Sequence, residues 1–184
     1  MGYFEPSELT LQQIGELLGA AASGYVNDID GDTHWLHNTA LLCVINDAAG
    51  LDPGVYRYRP DRHALEQVRA GDVRAELQAS LLSAMFNVFH AGMCVYPIGD
   101  YQRGFDVHGD RWYRIQNLEA GIALQRLYLA AAALGLRCHA NLGYSGELTR
   151  KMLGLGDHPL SALIQIMIGA GRDPGDYYEI DCLP

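Results

Sequence analysis

The sequence predicts an α+β domain in which helices pack on a mixed sheet, and three observations carry that expectation. Segments with helical spacing of apolar residues alternate with short apolar runs, in the order helix, two strands, helix, strand, long helix, strand, helix, strand. One helical segment, residues 117–134, is apolar around most of its circumference, which marks it as central rather than superficial. The chain has 184 residues, enough for one folding unit whose core needs no disulfide or structural metal, so residues 1–184 are expected to form a single domain.

Thr10 reads as an N-cap with Gln13 three residues on, and Leu11, Ile14, Leu17, Leu18 and Ala21 share one face, predicting a helix over 11–22. Residues 23–32 are polar and rich in Gly and Asp, the composition of a loop. The run 39–45 predicts a strand, separated by the turn Asp52, Pro53, Gly54 from a second strand over 55–59. In that second strand Val55, Arg57 and Arg59 share one face and Tyr56 and Tyr58 the other, the alternation of a half-exposed edge. A helix fits residues 72–84, a buried strand 86–96, and a long glycine-containing loop 97–110. The central helix over 117–134 ends at Gly135, a good C-cap. A strand over 136–141, a helix over 145–153 with Ser145 as N-cap, and a buried strand over 160–168 complete the pattern. Residues 172–184 show little regular pattern.

The charge balance excludes several functions. With 13 Lys+Arg against 22 Asp+Glu, a net charge of -9, there is no cationic footprint for a phosphate backbone, so nucleic acid is not an expected partner. Apolar runs such as Ala130 to Leu134 are far short of the roughly 20 residues of a membrane span, and residues 1–6 lack the features of a leader, so a cytoplasmic protein is expected. Cys43, Cys94, Cys138 and Cys182 form no C-x-x-C pair and read as free, buried thiols.

Direct motif searches return little. His34 with His37, His90 with Cys94, and Cys138 beside His139 have no metal-site spacing, so no metal is expected. The acidic run 28–32 lacks the glutamate that a calcium loop needs. Gly143, Tyr144, Ser145 and Gly146 make at best half a nucleophile elbow, and no dinucleotide or P-loop glycine pattern exists.

Several stretches nevertheless resemble one family. They are residues 50–58 (Gly-Leu-Asp-Pro-Gly-Val-Tyr-Arg-Tyr) with 63–65 and Gly71, Asp72 downstream; Tyr113, Arg114 followed by Leu118, Glu119, Ala120, Gly121; residues 125–131 running into 133–136; and Leu153, Gly154, Leu155. Together they resemble the SagB-type dehydrogenases, a branch of the FMN-dependent nitroreductase superfamily, over about residues 41–169. The resemblance is to the second, more degenerate unit of members that join two such units.

This resemblance implies a nitroreductase-like sandwich with a mixed or antiparallel sheet and a long central helix that dimerises, with FMN at the subunit interface. It implies an oxidoreductase of natural-product biosynthesis that dehydrogenates a peptide- or small-molecule-derived substrate, azoline to azole, pairing as a homodimer or with a related dehydrogenase subunit. Asn141, Leu142, Gly143 and Tyr144 would run along the flavin ring, and Arg172 would meet its phosphate. His108 would serve as proton acceptor. The sequence also departs from the family. Residues 1–6 contain no arginine, residues 33–38 replace a Pro-Ser-Ala-Gly-type segment, and Val107 and His108 stand where a Lys-Tyr pair is usual. Lys151 is the chain's one lysine and lies elsewhere. Two other readings therefore stay open: a non-catalytic nitroreductase-like partner domain, and an NAD(P)H-dependent nitro or quinone reductase.

Overall fold

The structure is a computed structural model and describes residues 4–83 and 85–171. Its centre is an eight-stranded sheet in which every strand pairing is antiparallel. The main path runs β1 (Phe4–Glu5), β10 (Gln165–Gly171), β7 (Met93–Asp100), β4 (Ala40–Ile45), β5 (Gly54–Arg59), β6 (Ala64–Ala70). β8 (Arg137–Asn141) also pairs with β10, and β9 (Leu160–Ala162) with β7.

The sheet is covered on both faces, which is why β4 and β7 read as continuous apolar runs instead of alternating. On one face Leu41, Cys43, Ile45, Val95 and Ile166 meet α1 (Leu11–Ala22) and the long α4 (Arg111–Ala133). On the other Leu42, Val44, Cys94, Tyr96 and Met167 meet Leu77 of α2 (Arg74–Ser80) and Met152 of α5 (Gly146–Met152).

The helix expected over 11–22 is present with a full capping box: Thr10 Oγ1 accepts from the Gln13 N–H, and the Gln13 side chain accepts from the Thr10 N–H. The central helix begins six residues earlier than its apolar pattern, at Arg111, because its first turns carry polar residues among the buried Trp112, Ile115 and Gln116. Ser145 caps α5 as expected, accepting from the Leu148 N–H.

Several expectations change. Residues 23–32 are not plain loop: Val26–Asn27 (β2) and Gly31–Asp32 (β3) form a small hairpin. β5 is not an edge, because β6 pairs along its length; β6 is mostly exposed and polar, as an outermost strand is, and shows no apolar run. The strand expected over 86–96 begins at Met93, a 3-10 turn at Val88–His90 precedes it, and it continues to Asp100. The strand expected over 160–168 is two strands, β9 and β10. The loop over 97–110 also contains the short α3 (Phe105–His108). Arg172, Cys182 and Ala84 lie outside the described residues.

Candidate active site

The turn after β8 is held by hydrogen bonds from three directions. Asn141 Oδ1 accepts the Gly143 N–H at 2.8 Å, while its Nδ2 donates to Gln165 Oε1 at 2.9 Å. Gln165, fully buried, donates in turn to the Tyr96 hydroxyl at 2.7 Å. The Gly143 carbonyl accepts the Leu82 N–H at 2.8 Å, and the Ser145 N–H donates to the Ser80 carbonyl at 2.7 Å. Tyr144 donates to the Ala162 carbonyl at 2.8 Å and sets its ring edge-on to Tyr96. Burial, with the nearby Tyr101 phenol second, pushes the Tyr144 hydroxyl up to about 12, so it stays a donor at neutral pH.

These bonds turn the Gly143 N–H inward. What the turn offers outward is the Leu142 side chain, 71% exposed, beside Leu82 at 73% in the segment hydrogen-bonded to it. Met85, 74% exposed, continues the same segment, and next to it Phe86 packs on the His139 ring at 4.4 Å between centroids. The turn and the segment hydrogen-bonded to it thus carry three large exposed apolar side chains, Leu82, Met85 and Leu142, which makes this end of β8 a candidate binding surface.

At the opposite end of β8 stands Arg137, an exposed cation whose side chain lies over Gly171, where any Cβ would collide with it. β8 separates Arg137 from Asn141 by four residue steps, about 13 Å at the strand rise. Sequence reading passed over Arg137. The signal that finds it is its register opposite Gly169, near the carboxyl end of β10.

His108 does not reach this turn. It closes α3 and stacks on Trp112, ring centroids 5.6 Å apart and planes within 14°. Gly104 permits that packing, since a Cβ there would enter the Trp112 indole. Tyr101, stacked on Tyr113 at 5.0 Å, is the residue of this segment that influences Tyr144. The structure thus brings Asn141, Leu142, Gly143 and Tyr144 together and leaves His108 apart from them.

A second device holds residues 23–38. Glu119, fully buried on α4, accepts from the His37 N–H at 3.0 Å, the Asn38 N–H at 2.9 Å and the Tyr25 hydroxyl at 3.1 Å. Two turns along the same helix, Arg126 donates to the Ser23 and Gly24 carbonyls. Seven residues apart on one face, they clamp both ends of the strap that carries the β2–β3 hairpin. Glu119 was visible in the sequence as part of the Leu118 to Gly121 stretch, but not its role.

Among the described residues no group of three or more His, Cys, Asp or Glu side chains is placed to hold a metal, and no helix is long and apolar enough to cross a membrane.

An antiparallel sheet covered on both faces, with a long helix clamping a strap and an anchored turn beyond it, defines a nitroreductase-type α+β protein. Residues 3–170 match the Nitroreductase family, and the chain belongs to it. A Methanocaldococcus jannaschii protein that carries a nitroreductase name is 29% identical over 159 residues, 84% of this chain and 79% of that one. Among solved structures, one from Anabaena variabilis, also named as a nitroreductase, superposes with a TM-score of 0.79 at 25% identity. That match covers 92% of this chain but 35% of the other, so the chain spans about a third of that longer protein. The Escherichia coli microcin synthetase McbBCD complex with truncated pro-MccB17 bound superposes with a TM-score of 0.77 at 21% identity, over 93% of this chain and 68% of that one.

Proposed function

We propose that this protein is an FMN-dependent oxidoreductase that dehydrogenates a peptide- or small-molecule-derived substrate in a biosynthetic pathway, by azoline-to-azole chemistry. The observation that carries the reading is the apolar rim of Leu82, Met85 and Leu142 at one end of β8 with the Arg137 cation at the other. A flavin is a flat, largely apolar ring on a phosphate-terminated arm, and a rim of apolar side chains with a guanidinium one strand-length away suits both ends. When bound, FMN supplies the two-electron chemistry by accepting a hydride from a ring carbon of the substrate.

The chain's own residues do the rest. Asn141 and Gln165 fix the turn so that Leu142 faces outward, and the Tyr144 hydroxyl closes it against β9. Arg137, with Arg172 as second cation, would hold the phosphate. His108, its plane set by Trp112 and neither ring nitrogen engaged by a described residue, lies off this turn and would take the proton only from a substrate that extends from the turn to α3. Leu118 and Leu129 stay exposed on the outer side of α4, at 69% and 62%, which supports pairing through that helix with a second copy or a related subunit. The likeness to the microcin synthetase complex supports a peptide-derived substrate.

Anaerobic mixing tests the reading. A thiazoline-bearing peptide is expected to bleach the flavin absorbance of the FMN-loaded protein and yield the thiazole. Bleaching by NADH alone, with no azole formed from the peptide, would replace it with an NAD(P)H-dependent nitro or quinone reductase, the Methanocaldococcus jannaschii relative being named as a nitroreductase. A protein that takes up no flavin would replace it with a non-catalytic nitroreductase-like partner domain.

A further inference from the structure

We propose that a cavity at the start of β4 is a binding site for a small organic anion, an anionic head on an apolar body. The cavity has a volume of about 400 Å³ and lies where β4 begins and β5 and β7 end. That volume is in the range of small-molecule sites, about 300–1,000 Å³. Leu42, Ile98, Leu155 and Leu160 give it an apolar floor. None of residues 141–144 lines it.

Its charge pattern points to an anion. Arg57, Arg59 and Arg103 all line the cavity, in a chain whose net charge is -9. Arg59 is neutralised by Asp61 at 3.3 Å and Glu66 at 3.4 Å. Neither Arg57 nor Arg103 forms an ion pair with a described residue. The acid in the lining, Asp100, has its Oδ1 committed to the N–H groups of Gln102 and Arg103. With the Asp100 carboxylate turned to backbone N–H groups, Arg57 and Arg103 present guanidiniums without ion-pair partners to one cavity, each able to pair with an entering anion.

An independent observation marks the same wall. Thr39 is 9% exposed, and its hydroxyl is buried with no hydrogen-bond partner among the described residues. A buried hydroxyl left without a partner costs stability, which a ligand accepting its proton would recover. The strand parity explains the assembly. Arg57 stands opposite Leu42 in register, on the face of β5 that carries Val55 and Arg59, so the cations are presented beside the apolar floor.

Octanoate, octyl phosphate and octanamide, titrated into the whole protein by calorimetry, test this. Both anions are expected to bind at least about tenfold more tightly than the amide. The tighter anion identifies the head group as carboxylate or phosphate. R57Q and R103Q, both at exposed positions, should each weaken anion binding several-fold, and T39V should do so while leaving the melting temperature unchanged or raised. Equal affinity for all three ligands, no binding of either anion at about 5 mM, or an R57Q/R103Q protein that binds octanoate like the parent would overturn the proposal.

Discussion

Glu119 shows how much one side chain can organise. A carboxylate is an acceptor with no hydrogen to donate, and here it faces two backbone N–H groups and a phenol, with both oxygens used. The Tyr25 hydroxyl responds as expected: burial first, then the charge of Glu119, raise its pKa. Glu119→Gln sets an amide N–H₂ against one of those donors, and denaturant unfolding should show a loss of about 2 kcal/mol. A change under about 0.5 kcal/mol would mean that the strap is held by other contacts.

The thiols make a second residue-scale prediction. Cys43, Cys94 and Cys138 are buried and free, and burial pushes Cys43 and Cys138 up to about 12 and raises Cys94 as well. Their folded pKa values lie above those of the unfolded chain, so their contribution to stability is complete below about pH 8.5. It is lost as pH rises from there through 12. Stability measured from pH 8 to pH 11 should fall, and C43A/C138A should flatten the fall. Peptide mapping after alkylation at pH 8 should find these three cysteines unmodified in the native protein, and modification at the rate of a free thiol would contradict their burial.

At the scale of elements, what the sequence revealed follows the physics of each one. α1 was readable to the residue because a capping box and an amphipathic stripe are local signals. β4 was readable because both its faces are buried. β6 was not, since an exposed outer strand such as Ala64–Ala70 takes its pairing from β5 and carries no apolar pattern of its own. The candidate site divides the same way. Residues 141–144 were accessible by their place after the central helix, whereas the bond from Leu82 to Gly143 and the position of Arg137 over Gly171 depend on contacts distant in sequence. α4 carries the element-scale prediction. Its inner face is buried through Ala123, Leu127 and Ala131, and its outer face presents Leu118 and Leu129 to solvent. Pairing through this face, as proposed above, predicts that the parent sediments as a dimer and that Leu118→Arg with Leu129→Arg sediments as a monomer with its far-ultraviolet circular dichroism intact. Unchanged sedimentation would move the interface elsewhere.

At the scale of the whole molecule, a sheet covered on both faces is joined to a strap clamped on α4 by Glu119 and Arg126, and β8 runs from the exposed Arg137 at one end to the anchored turn with its exposed Leu142 at the other. The family fixes the fold, and these particulars decide whether the fold carries a flavin. The most direct measurement is a titration of the purified chain with FMN, read by quenching of flavin fluorescence and by the quantity released on heating. Saturation at one FMN per chain is expected, with about tenfold weaker binding after Arg137→Gln, the loss of one charge-assisted contact. A colourless protein that takes up no FMN at about 100 µM would contradict it.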